Sequence, residues 1–98
     1  MSTVYVEAGP EAAETLSLVR AAVESETQRL ELALDAAQRR LDRYEDKYSV
    51  STEQFISEMA AEDLEGGDDE YVQWAGEYRL KERLQVKLTR LQEIRFGA

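Results

Sequence analysis

From Glu11 to Glu65 the chain contains neither glycine nor proline. A sheet protein of this length needs frequent turn residues, so the uninterrupted stretch favours an all-α fold. Apolar residues recur along it every seven positions. Leu16, Val23, Leu30, Ala37 and Tyr44 share one position, and Leu34, Leu41 and Tyr48 a second in the later half. Such spacing predicts coiled-coil-like packing of one long helix over residues 10–48. Pro10 fits its first position, where a missing N–H is no loss, and Glu11 and Glu14 suit the positive end of its dipole.

Ser49-Val50 interrupts the pattern. Ser51-Thr52-Glu53-Gln54 reads as a capping box, Ser at the N-cap and Gln at N3. A short second helix over 52–64 follows, with Phe55, Ile56, Met59, Ala60 and Leu64 as its apolar face. Gly66-Gly67 ends it, within the acidic break Glu65 to Glu70. A third helix over 69–96 places Tyr71, Trp74, Ala75, Tyr78, Leu84, Leu88, Leu91 and Ile94 on one stripe. Before all of these, residues 1–9 form an extended, strand-like segment. It suits either pairing with a second copy or a loosely held terminus.

The expected architecture is one domain, 1–98. It is an antiparallel helical hairpin of two long helices with a short helix at the corner. Setting Tyr44 against Trp74 puts Leu34 opposite Leu84 and Leu30 opposite Leu88. Everything before about residue 22 then overhangs. Leu16, Leu18, Val19 and Val23 would have nothing in their own chain to cover them. Burying one such side chain is worth roughly 1.5–3 kcal/mol. The expectation is therefore a homo-oligomer, most simply a two-fold dimer forming a helical bundle.

Charge and composition exclude several chemistries. Histidine and cysteine are absent, so a disulfide, a zinc site of the usual Cys/His type and a Ser–His or Cys–His nucleophile are all ruled out within the chain. Glu24, Glu26, Glu31 and Asp35 lack the histidines of a di-metal carboxylate bundle. Asp63, Glu65, Asp68, Asp69 and Glu70 do not follow the calcium-loop spacing and read as capping residues in a solvated turn. A metal-dependent hydrolase at this acidic corner stays a minor alternative. The expectation is no cofactor, no metal and no catalysis.

The net charge of −9 disfavours a nucleic-acid partner. Its distribution is uneven: residues 1–69 carry 17 acids and 6 bases, and residues 70–98 carry 4 acids and 6 bases. Arg79, Arg83, Lys87 and Arg90 align on one side of the third helix, while Lys81 and Arg95 lie elsewhere. Salt bridging to the first helix is the plain expectation for these cations, and docking to an acidic partner the sharper one. Tyr44, Tyr48, Phe55, Tyr71, Trp74 and Tyr78 form an aromatic corner, either core packing or a partner-binding pocket. Neither a signal-peptide pattern nor a bilayer-length apolar run is evident, so a cytoplasmic protein with no membrane contact is expected.

One order of motifs is more specific. Tyr44-Glu45-Asp46-Lys47-Tyr48, Ser51 to Phe55, Gly66-Gly67-Asp68-Asp69 and Trp74 to Tyr78 succeed one another over about Leu41 to Leu91. In this the chain resembles a family of small acidic helical proteins of bacteria and archaea, several of them similar to antitoxins of toxin–antitoxin pairs. The resemblance implies a cytoplasmic, non-catalytic protein–protein interaction module, antitoxin-like, whose partner is a small basic protein. A stand-alone structural or oligomerisation protein is the alternative.

Overall fold

The computed structural model describes residues 2–5, 9–58 and 69–96. They are mostly helical. In chain order the elements are strand β1 (Ser2–Val4), helix α1 (Ala12–Tyr48), helix α2 (Thr52–Glu58), helix α3 (Asp69–Gln92) and strand β2 (Ile94–Phe96). No helix among the described residues is long and apolar enough to cross a membrane.

Helix α1 starts two residues later than the sequence pattern predicts. The amide of Ala12 donates to the carbonyl of Gly9 (3.1 Å), closing a turn with Pro10 and Glu11 at its centre. Glu11 lies at φ −105°, ψ 26°, close to the third position of a type I turn, so Pro10 takes the second. Its fixed φ serves that position equally well, and Glu14 alone remains as the acid of the first helical turn. Thirty-seven residues then run without interruption, a length of about 55 Å. The helix ends on Ser49, whose φ of 55° and ψ of 38° place it in the left-handed region. That reversal lets Val50 and Ser51 turn the chain into α2.

The start of α2 shows one half of the expected capping box. The Gln54 amide donates to Ser51 Oγ at 3.1 Å. The Gln54 side chain turns forward instead, donating to Glu58 at 3.1 Å. A different free amide of the first turn is met from α1: Thr52 N–H donates to Glu45 Oε2 at 2.6 Å. The predicted continuation of this helix over 59–64 lies outside the described residues, as do Gly66, Gly67 and Asp68.

Helices α1 and α3 pack along each other in opposite directions, as the contacts require. Tyr44 stacks on Trp74, Arg40 pairs with Glu77, and Lys47 pairs with Glu70. Leu30, Leu84 and Leu88 form one buried cluster flanked by Ala33, Leu34, Leu80 and Leu91. Leu41, Phe55, Trp74 and Ala75 form the other. Ala37, fully buried between the two, allows the helices close approach.

Helix α3 does not reach Phe96 as expected. It ends at Gln92, and Ile94–Phe96 is extended. The reason lies at the other end of the chain. Ser2–Val4 pairs with these residues in parallel, Ser2 opposite Ile94 and Val4 opposite Phe96, within the same molecule. A β-branched and an aromatic residue favour that conformation once a partner strand is present. The N-terminal segment is thus neither loose over Ser2–Val4 nor free for a second copy at that edge.

This ribbon also meets the leading part of α1 at one point. The Arg20 guanidinium lies over the Phe96 ring, 5.1 Å from its centroid. Leu16 and Val23 stand four and three positions from Arg20, Val19 stands three and four positions from Leu16 and Val23, and all three are half-buried. Leu18 points elsewhere and is 66% exposed.

Candidate functional site

Three surfaces hold the side chains singled out in the sequence: the aromatic end, the leading third of α1, and two rows of charge.

The aromatic end is a stack built on Trp74. Phe55 lies on it nearly coplanar, ring centroids 3.9 Å apart and 2° from parallel. Tyr44 and Tyr48 are both stacked on the same indole at 5.5 Å. Tyr71 meets Phe55 and Tyr48 edge-on at 5.5 and 5.4 Å. Tyr78 packs on the margin of the same cluster. All six residues of the predicted corner therefore come together. They do so because positions 44 and 48 of α1, 71, 74 and 78 of α3, and 55 of α2 each face the common core at helical spacing.

The polar end of the indole is satisfied. Trp74 Nε1–H donates to Thr52 Oγ1 at 3.0 Å, and Thr52 is 2% exposed. Thr52 thus links Glu45 to Trp74, tying α1, α2 and α3 through one hydroxyl and one amide. Sequence reasoning missed this role. A threonine at the start of a helix is a routine capping signal, and only packing brings it to a tryptophan 22 positions away. Beside the stack, Tyr48, Val50, Phe55, Glu58, Tyr71 and Trp74 line a shallow cleft of about 330 Å³. Trp74 is 1% exposed, so the cleft is walled by tyrosine and phenylalanine edges more than by the indole.

The charges fall differently from the expected pattern. Among the described residues, the ion pairs between α1 and α3 do not join α3 cations to α1 acids. They run the other way. Arg40 Nε lies 2.8 Å from Glu77 Oε1, and Lys47 donates to both carboxylate oxygens of Glu70 at 2.9 and 2.8 Å. The Arg40–Glu77 pair is one of proximity: neither Arg40 Nε nor Glu77 Oε2, both buried, has an aligned hydrogen-bond partner. The hydrogen bond from Lys47 holds the Glu70 carboxyl below its ordinary pKa, aided by the Tyr48 hydroxyl and the Lys47 charge. Glu26 is likewise lowered, first by its hydrogen bond from Arg29 and then by the charges of Arg29 and Lys87.

With the seam paired in this way, much of the majority charge of each helix stays exposed. On α3, Arg79, Arg83, Lys87 and Arg90 are exposed and, with Glu82 and Val86, line an open groove of about 500 Å³. On α1, Glu24, Glu31, Asp35, Asp42 and Asp46 are all exposed. Spacings of seven and four residues put them on one side of the helix. Among the described residues, neither row makes an ion pair within 4 Å.

No group of three or more potential metal ligands gathers among the described residues. Of the acidic corner, Asp69 and Glu70 are described, and Asp63, Glu65 and Asp68 lie outside. A scan of protein-family models and searches of curated proteins and of solved structures found nothing that matches this chain.

Proposed function

We propose that this chain is a non-catalytic protein–protein interaction module of the cytoplasm. In this reading α1 and α3 form a helical hairpin with α2 at its corner. The hairpin assembles with a second copy, most simply as a two-fold dimer, and acts as the antitoxin-like partner of a small basic protein. One observation carries the proposal: the molecule has too little core for its length. Its extents are 60 × 21 × 18 Å and its radius of gyration is 19.2 Å, against about 13 Å for a compact domain of 100 residues. Among the described residues, eight apolar side chains are buried: Leu30, Ala37, Leu41, Phe55, Trp74, Ala75, Leu84 and Leu88. Meanwhile Leu18, at 66%, and Leu32, at 70%, stand exposed on α1. A two-helix layer cannot enclose more without a further helix from outside.

The self-assembly region in this proposal is the leading third of α1, with Leu16, Leu18, Val19 and Val23; Leu18, turned to the opposite side from Leu16 and Val23, is the most exposed of them. The surface offered to the basic partner is the acidic row from Glu24 to Asp46, which would speed the encounter electrostatically. Light scattering of the purified chain tests the first part. The native protein is expected to run as an oligomer and Leu18→Lys to shift towards monomer with unchanged helicity. A native protein that stays monomeric at high micromolar concentration would refute it. Growth rescue tests the second part. Co-expression is expected to relieve the arrest caused by a small basic protein encoded beside this chain. Absence of such a neighbour, with a stable oligomer, would favour a stand-alone structural role.

A further inference from the structure

We propose that the basic groove of α3 is a docking site for the acidic row of α1 on a second copy of the same chain, giving head-to-tail self-association. The proposal begins with charges that make no ion pair within 4 Å among the described residues. Arg79, Arg83, Lys87 and Arg90 face outward because the contacts between the two long helices employ Glu70 and Glu77 of α3 and Arg40 and Lys47 of α1. Arg40 and Lys47 of α1 and Glu70 and Glu77 of α3 are engaged at the seam. Outside, α3 carries a row of four cations beside Glu82, and α1 carries a row of carboxylates with Arg39 and Arg43 next to it.

The two rows have matching spacing. Arg79, Arg83 and Arg90 are separated by four and then seven positions. Glu31, Asp35 and Asp42 are separated by four and then seven. Read in the reverse direction, Asp46, Asp42 and Asp35 give the same intervals. At 1.5 Å per residue the charges recur about 6 Å and 10 Å apart on both helices, so three ion pairs can form together in either orientation. In both registers Arg83 and Arg90 meet Asp35 and Asp42. Val86, 50% exposed in the middle of the groove, gives the contact an apolar centre.

Whole-molecule repulsion opposes association, since each copy carries −9. Near 0.15 M salt the Debye length is about 8 Å, so distant like charges are screened while pairs in contact keep most of their attraction. The contact joins two different surfaces, and so it is heterologous and not self-complementary. It is therefore separate from any two-fold contact through Leu18. It also covers the carboxylates assigned to a basic partner, so self-association and that partner would compete.

Complementary charge reversal tests this without a basic partner being present. Arg83→Glu/Arg90→Glu removes the basic face and keeps the acidic row. Asp35→Lys/Asp42→Lys removes the acidic row and keeps the basic face. All four positions are exposed, and circular dichroism checks that both variants retain native helicity. Each variant is labelled and titrated against itself and against the other, at 0.15 M and 1 M sodium chloride. The expected result is 1:1 binding between the two variants, on the order of tenfold tighter than either binds itself and lost at 1 M salt. Equal affinity in all combinations, no mixed binding, or binding that strengthens with salt would each overturn the proposal. None of these outcomes bears on Leu18→Lys, so the failure of one reading is distinguishable from the failure of the other.

Discussion

Thr52 is the residue on which the aromatic end most depends. Its hydroxyl accepts the indole N–H of Trp74 in a site from which water is excluded. Thr52→Val keeps the shape and removes the acceptor, leaving a buried donor unpaired. The expected loss is about 1–3 kcal/mol in chemical denaturation. Trp74→Phe in the Thr52→Val background should lose less than the sum of the two single changes, because the orphaned donor leaves with the indole. Glu70 sets a pH dependence. Its folded pKa lies below the ordinary glutamate value because Lys47 bonds it. A depressed acid contributes stability above its unfolded pKa and loses it as pH falls through the folded one. Carboxyl NMR should find Glu70 titrating below ordinary glutamates, and Lys47→Met should return it towards them and reduce the acid-side slope of stability.

At the scale of elements, the register of α1 against α3 rests on two clusters joined at Ala37. Leu30→Ala opens a cavity under Leu84 and Leu88 and should cost about 2–5 kcal/mol. Ala37→Leu should also destabilise, by about 1–3 kcal/mol, because its site is fully buried and the helices meet there. Thermal melts of both variants check the pair. A neutral Ala37→Leu would mean that the helices are free to separate at mid-length. The seven-residue repeat made this register legible, because leucines at fixed spacing on two helices have few ways to align. The β1–β2 ribbon was not legible. Three residues at each end carry too little pattern to declare a partner, and Ile94 and Phe96 also continue the helical stripe. Pairing across the whole length of the chain decided between strand and helix.

For the molecule as a whole, shape and charge act together. A rod 60 Å long with a thin core exposes both apolar and charged surface. The two proposed contacts respond oppositely to ionic strength. Association through Leu18 should hold or strengthen as salt rises, since it removes apolar area from water. Association through Arg83 and Arg90 should weaken. A salt series on the native chain and on Leu18→Lys therefore separates them in one experiment.

Taken by itself, the sequence determined the helical class, the extent of α1 to within two residues, the leucine layers and the membership of the aromatic corner. All of these follow from the period of apolar residues and from where glycine and proline are absent, which are local properties. Tertiary structure alone decided which charges meet. A sum over each helix suggests that α3 cations face α1 acids, yet the side chains at the seam are Arg40, Lys47, Glu70 and Glu77. The apolar register fixes the rotation of each helix about its axis, and that rotation, not net charge, selects the side chains at the boundary. For the same reason the acidic and basic rows stay exposed to solvent, Glu31 and Asp35 at the edge of the seam beside Lys81.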